Sequence, residues 1–316
     1  MTAVPATVFS SAPRPGGEVD MGLLADLPGL ELQARCVMDG FLAGRHRSPR
    51  QGSSVEFAEY RSYQFGDDPR RIDWRLYGRT ERLHVKRYEE ETQLRVILIL
   101  DASASMDYRS REGLLTKLDF ARITLAATAL LAKRQQDAFG LAVAGPAPLE
   151  VLRARSSAPH WRTFLGRLQG VETGGEVPLA ATLEEIAETL PRRSLVVIAS
   201  DFYDETEALA GALRRLRHDR HDVVGLQICD PFELDFALDA QGTFVDLESG
   251  QRLLLDTEAV RAGYLERFGA FRAELAATFR DVGAGFETLS TARAPLDALT
   301  AYLAIRQGGQ GGEGRR

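Results

Sequence analysis

The chain has 316 residues, enough for one large or two modest domains, and its 44% hydrophobic and 27% charged content is ordinary for a folded protein. A net charge of −6 offers no general attraction to nucleic acid or anionic lipid. Cys36 and Cys229 are far apart and outside any CxxC or Cys/His cluster, which argues against a disulfide framework or a structural zinc site and for a reducing compartment.

The opening MTAVPATVFSSAPRPGGEVD lacks a basic start followed by an apolar core, and no apolar run reaches the ~18 residues of a membrane span, so a cytoplasmic protein is expected. Residues 1–20, rich in Pro, Gly, Ser and Ala, read as disordered. Leu23 to Leu42 carries helical spacing (Leu30, Leu32, Val37, Phe41) and predicts one or two short helices. Leu83 to Tyr88 alternates and predicts a strand, joined as a hairpin through Glu89 to Gln93 to a buried strand, Arg95 to Leu100. A long helix is expected over Leu114 to Gln135, then a strand at Phe139 to Val143 with a hairpin partner at Leu149 to Leu152. Helices over 158–169 and 178–190 precede the strand Leu195 to Ser200. There follow a helix (206–218), a strand (Val223 to Cys229), a small hairpin (243–255), a helix (257–281), a strand (Phe286 to Leu289), a helix (295–306) and a Gly-rich tail. Alternating strands and helices predict an α/β fold, a doubly wound and mostly parallel sheet carrying an irregular N-terminal extension and a small β-hairpin insertion. The expected organisation is a disordered stretch (1–20), an N-terminal helix with an Arg- and aromatic-rich segment and edge strand (21–93), the sheet domain (94–306) and a flexible tail (307–316).

The run Val96 to Leu100 leads into Asp101-Ala-Ser103-Ala-Ser105. This places one carboxylate and two hydroxyls at alternate positions where a parallel strand ends, and such hard oxygen donors suit Mg²⁺, Ca²⁺ or Mn²⁺. Leu195 to Ser200 likewise ends in Asp201. If the two strands are neighbours at the switch point of the sheet, both carboxylates face one crevice. The plainer alternative is a turn in which Asp and Ser bond to nearby backbone. No P-loop, HExxH or GxSxG is present, and His46, His84, His160, His218 and His221 are scattered, each read as a surface or loop residue. Asp230 and Glu233, just after another strand end, read as loop hydrogen-bonding groups or as a further acidic contact near the crevice.

The strand-end set resembles the metal-ion-dependent adhesion site of von Willebrand factor type A domains, where a Thr from an intervening loop completes the ligands. The matching stretch here is Gly174-Gly175-Glu176-Val177-Pro178-Leu179, with Val177 in the Thr position. The resemblance implies metal ligation by Asp101, Ser103, Ser105 and Asp201, with Thr173 or Glu176 as substitute ligands, and binding of Mg²⁺ or another divalent cation weakened by Val177.

A second set of residues narrows the resemblance. Gly44-Arg45-His46-Arg47-Ser48, Glu56-Phe57, Arg61-x-Tyr63, Gly66-Asp67-Asp68-x-Arg70-x-Ile72-Asp73-Trp74, Arg79-Thr80 and Asp230-Pro231-x-Glu233 resemble the signature of the bacterial family called domain of unknown function 58. That family implies a von Willebrand type A-like core and a MoxR-type AAA+ ATPase as partner. Read from its residues alone, the segment 44–82 mixes nine Arg with six acids around Tyr60, Tyr63, Phe65, Trp74 and Tyr77, which suits either an intramolecular Arg-carboxylate clamp or a partner-binding surface through Arg61, Tyr63, Arg70, Asp73, Trp74 and Arg79. The expected function is a non-enzymatic protein-binding module, an adaptor or assembly factor working through a divalent-metal crevice. A metal-free structural module and a metal-dependent hydrolase are the alternatives.

Overall fold

In the computed structural model, residues 19–45, 60–63, 74–86, 94–145, 149–175, 178–191, 193–236, 242–245, 252–255 and 257–310 are described. Two helices open the order, α1 (Met21–Asp26) and α2 (Leu30–Arg45), followed by β1 (Tyr60–Ser62), α3 (Trp74–Thr80) and β2 (His84–Lys86). Next come β3 (Arg95–Asp101), a 3₁₀ turn (Ala104–Asp107), α4 (Lys117–Arg134), β4 (Ala138–Ala144), β5 (Val151–Arg155), α5 (Ala158–Gln169) and α6 (Leu179–Thr189). The order ends with β6 (Ser194–Ser200), α7 (Thr206–His218), β7 (Asp222–Cys229), α8 (Pro231–Asp235), β8 (Gly242–Val245), β9 (Arg252–Leu255), α9 (Thr257–Asp281), β10 (Gly285–Ser290) and α10 (Leu296–Gln310). The chain divides into two units, residues 1–47 with 94–316, and residues 48–93.

The larger unit carries a six-stranded sheet in the order β10-β7-β6-β3-β4-β5, parallel except for the edge strand β5. β3 is the first of these strands in the chain. From it the chain moves outward through β4 and β5, then crosses back to build β6, β7 and β10 on the other side. The switch point therefore lies between β3 and β6, where crevices open in doubly wound sheets. The continuous apolar run of β3 is explained by burial on both faces. Val96, Leu98 and Leu100 join a core containing Met38, Phe120, Phe164 and Tyr302, from α2, α4, α5 and α10. Ile97 and Ile99 join a second core with Leu183, Ile186, Leu213 and Phe279, from α6, α7 and α9. Each such side chain contributes about 1.5–3 kcal/mol on burial.

Helix α4 is buried over most of its surface, which accounts for its Ala-, Leu- and Thr-rich sequence. The Thr124 and Thr128 hydroxyls donate to the carbonyls of Phe120 (2.7 Å) and Thr124 (2.9 Å), so neither is left unpaired in the core. Two glycines permit close approach: a Cβ on Gly140 would lie 2.5 Å from the Leu152 carbonyl oxygen, and one on Gly225 2.5 Å from Cζ of Phe279.

The smaller unit holds the antiparallel pair β1–β2, with Tyr60 opposite Lys86, and the short helix α3. This corrects the expected hairpin: β2 pairs with β1, while β3 pairs with β4 and β6. β3 sits inside the sheet with one edge taken by β4 and the other by β6, so no edge is left for an antiparallel hairpin partner. One histidine expectation also changes: His160 is buried in α5, bonding the Phe139 carbonyl through Nε2 at 2.7 Å, while His221 is the loop residue expected but is buried, accepting from the Ser194 N–H at 3.2 Å. Both sit near the N-terminal ends of strands, at the opposite end of the sheet from Asp101. Among the described residues, no helix is long and apolar enough to cross a membrane.

Candidate functional site at the rim of the sheet

Parallel pairing sets Leu100 beside Ala199, which brings Asp101 against Ser200 and Asp201 at the switch point. Asp101 is buried and fully bonded: Oδ1 accepts from the Ser103 N–H at 2.8 Å and Oδ2 from the Ser200 hydroxyl at 2.5 Å. The Ser103 and Ser105 hydroxyls lie 3.1 Å apart and share one hydrogen bond. The loop before α6 closes over this turn, Gly174 N–H donating to the Ala102 carbonyl (3.0 Å) and Ala104 N–H to that of Gly175 (3.1 Å). Thr173, named as a substitute ligand, lines a separate cavity of about 530 Å³ with Leu141, Val143, Leu152 and Arg167. Glu176 and Val177 lie outside the described residues.

Past Asp201 the chain turns through Phe202, whose φ of 60° is left-handed and costly for a bulky residue. The turn lets the Ser200 hydroxyl accept from the Phe202 N–H at 2.8 Å, and it buries the Phe202 ring against Phe279 and Phe286. It also sends Asp201 toward Lys117, the first residue of α4.

Lys117 is the residue that pattern reading missed. Its side chain is 1% exposed, and its ammonium donates to Asp201 Oδ2 at 2.7 Å and to Glu233 Oε1 at 2.8 Å. Burial pulls its pKa down, but Asp201 and Glu233 outweigh burial and hold the ammonium above the ordinary lysine range. The Tyr203 and Tyr108 rings flank it, with centroids 5.3 and 5.9 Å from Nζ. A signal was available. A cation in the first turn of a helix opposes the macrodipole, so an otherwise apolar helix that begins with Lys invites a search for a carboxylate nearby.

Glu233 is placed by the capping box of α8. Its Oε2 accepts from the Asp230 N–H at 2.7 Å, while Asp230 Oδ1 accepts from the Phe232 N–H at 2.8 Å. Asp230 Oδ2 also accepts from the Ser110 N–H at 3.0 Å, tying the loop before α4 to the end of β7. Both residues thus make the loop bonds expected of them, and Glu233 in addition reaches the crevice. Burial raises Glu233 above the usual carboxylate range against the pull of Lys117. Asp101 is pushed up to about 6, first by burial and then by the charge of Asp201. Tyr203 lies at the mouth, 50% exposed, stacked on Phe271 at 5.7 Å and donating its hydroxyl to Glu233 Oε1 at 3.3 Å.

These residues, as placed, do not fit the divalent cation that the adhesion-site resemblance implies. Mg²⁺ needs near-octahedral oxygen donors at ~2.0–2.1 Å. The expected ligand set Asp101, Ser103, Ser105 and Asp201 is bonded within the chain, with a lysine ammonium on Asp201 Oδ2 and the Tyr203 N–H 3.4 Å from its Oδ1. Among the described residues, no group of three His, Cys, Asp or Glu side chains is arranged to hold a metal.

In the smaller unit, the Tyr63 N–H donates to the Leu83 carbonyl at 2.9 Å. Trp74 is 61% exposed and meets Tyr77 edge-on at 6.2 Å, and Arg79 is exposed in the last turn of α3. Arg70 and Asp73 lie outside the described residues, and Arg61 is placed only as a strand residue.

A family model, that of Protein of unknown function DUF58, matches residues 59–274. The chain belongs to the DUF58 family. This DUF58 protein is 30% identical over 310 residues to the uncharacterized proteins Rv1480 of Mycobacterium tuberculosis and Mb1516 of Mycobacterium bovis, with 96% of each chain covered. Among solved structures, it is similar to an aerotolerance-related membrane protein from Bacteroides fragilis (15% identity, TM-score 0.46, 68% of this chain and 97% of that one). BatB from Bacteroides thetaiotaomicron is similar at 13% identity and a TM-score of 0.43, covering 68% of this chain and 99% of its own. The six-stranded order with one antiparallel edge strand, flanked by helices, is the von Willebrand type A-like core that the sequence resemblance implied.

Proposed function

We propose that this DUF58 protein is a non-enzymatic interaction module, an adaptor or assembly factor that docks a partner protein at the C-terminal rim of its sheet. The partner class implied by the family resemblance is a MoxR-type AAA+ ATPase. Tyr203 carries the reading. It is half-exposed at the mouth of the crevice, yet its ring is held by Phe271 and its hydroxyl by Glu233. An aromatic fixed before binding loses little entropy in a complex, and Tyr is enriched among residues that dominate binding energy. The titratable groups beneath it are bound to one another, Lys117 to two carboxylates and Asp101 to Ser200 and Ser103, which leaves them committed to structure and not to proton transfer.

The exposed pair Trp74 and Tyr77, with Arg79, supports a second contact on the smaller unit, for which the sequence also offers Arg61, Tyr63, Arg70 and Asp73. Two free thiols, Cys36 and Cys229, fit a reducing, cytoplasmic setting.

Co-purification of the full chain with its cognate MoxR-type ATPase tests this. Tyr203→Ala is expected to weaken retention by about tenfold or more, the scale of a hot-spot aromatic, while leaving the melting temperature within a few degrees. Equal retention by the variant would remove the rim as the docking face. No ATPase held by the wild type would remove the partner.

A further inference from the structure

Among the described residues, the carboxylates of Asp101, Asp201, Asp230 and Glu233 beneath the rim are each answered from within the chain. Asp230 is held by two backbone N–H groups, and Asp101 by one N–H and one hydroxyl. Asp201 Oδ2 and Glu233 Oε1 share the Lys117 ammonium, and Glu233 Oε2 takes the Asp230 N–H. Lys117 approaches from the start of α4, Asp201 from the end of β6 and Glu233 from α8, so a single cation joins three separate elements. It is buried beneath Tyr108 and Tyr203, and no backbone carbonyl competes for it among the described bonds.

We infer that the Lys117 ammonium is the resident cation of this crevice, paired with Asp201, which the adhesion-site resemblance names as a metal ligand, and that the site is metal-independent. The chemistry supports the substitution. An ammonium offers three directional donors and one positive charge, which suits two carboxylate oxygens at 2.7 and 2.8 Å. A divalent ion bound at Asp201 would face the buried positive charge of Lys117 a few ångströms away. The loss of the metal changes how the site meets a partner. A metal with an open coordination position captures a carboxylate directly, whereas an ammonium buried beneath two tyrosine rings, with two of its three donors on carboxylates, is closed off from a partner's carboxylate. Contact at this rim therefore falls to side chains at the mouth, Tyr203 first, and does not depend on cation supply. The inference rests on the crevice itself and stands or falls without any partner protein.

The test uses the full chain stripped with chelator, with Mn²⁺ alone as the probe. Electron paramagnetic resonance reads free against bound Mn²⁺, and thermal melts read linked stability. For the wild type, no saturable Mn²⁺ binding at millimolar concentration is expected, and no change of melting temperature between chelator and Mn²⁺. Lys117→Met keeps most of the stem and removes the charge. It is expected to melt lower in chelator, to gain saturable Mn²⁺ binding and to recover about 3 °C or more with the ion, the size that linkage gives at saturating ligand. Because loss of the only charge between two buried carboxylates threatens folding, Lys117→Met/Asp201→Asn is measured beside it and is expected to fold without responding to Mn²⁺. Saturable Mn²⁺ binding by the wild type that is lost in Asp201→Asn would overturn the inference. A folded Lys117→Met that gains no Mn²⁺ binding would overturn it equally.

Discussion

Lys117 Nζ lies 2.7 Å from Asp201 Oδ2, and this buried pair joins the first turn of α4 to the end of β6 across the switch point of the sheet. Neither residue stands on an element adjacent to the other in the chain. The pair is formed only when β3 and β6 lie side by side, which makes it a lock on topology as well as a charge balance.

Breaking that lock from the cationic side is expected to be severe. Lys117→Met leaves Asp201 and Glu233 buried without their cation, and removal of one partner from a buried pair costs about 3–5 kcal/mol. Urea unfolding at neutral pH should register this as a lower midpoint at unchanged slope. Asp201→Asn should cost less, because Glu233 continues to hold Lys117. A loss below about 1 kcal/mol for Lys117→Met would mean that the ammonium escapes to solvent.

Asp101 makes stability depend on pH in a stated direction. Burial and the neighbouring Asp201 raise its pKa from 3.8 to about 6, so the folded state holds a proton that the unfolded chain has released. The sign follows from linkage: this contribution is complete below pH ~4 and is lost as pH rises through about 6. Over that window the wild type should lose about 2–3 kcal/mol relative to Asp101→Asn, which cannot titrate. Denaturant midpoints of the two proteins across pH 4 to 7 read the difference. Parallel curves would show that Asp101 does not titrate there.

Gly225→Ala and Gly140→Ala test the two close approaches. At Gly225 a methyl meets the Phe279 ring, which is itself packed on Phe202 and Phe286, so a loss of about 1–3 kcal/mol is expected. At Gly140 the obstacle is the backbone of β5, 2.5 Å from the Leu152 oxygen and 2.9 Å from the Ala154 nitrogen. That variant should additionally release the edge strand, seen as faster amide exchange confined to β5.

The C-terminal helix is tied down by a bond between elements far apart in sequence. The Tyr302 hydroxyl donates to Asp137 Oδ2 at 2.7 Å, while Asp137 Oδ1 accepts from the Leu94 N–H at 3.1 Å. Tyr302→Phe keeps the ring in the core and removes one hydrogen bond to a buried carboxylate, so a loss of about 1.5–3 kcal/mol is expected by chemical denaturation. No measurable change would show that Asp137 is satisfied without it.

What the amino-acid order determines by itself is the set of local elements. Apolar runs without interruption yielded β3 and β6, and helical periodicity placed α7 at the residues where it occurs, because these signals depend only on spacing along the chain. That Asp101 and Asp201 each stand at the end of a buried strand was also legible, but that the two strands are neighbours was only a condition there, and the pairing of β3 with β6 decided it. The short elements were not legible. α3, α8 and β1 span 7, 5 and 3 residues, too few for any period to show. Only the folded structure decided that β2 pairs with β1, that His160 and His221 lie inside, and that Lys117 fills the crevice. A hydrogen bond or ion pair between residues 84 or 116 positions apart leaves no trace in local composition. Its strength comes from the desolvation that packing imposes, and packing is a property of the assembled sheet.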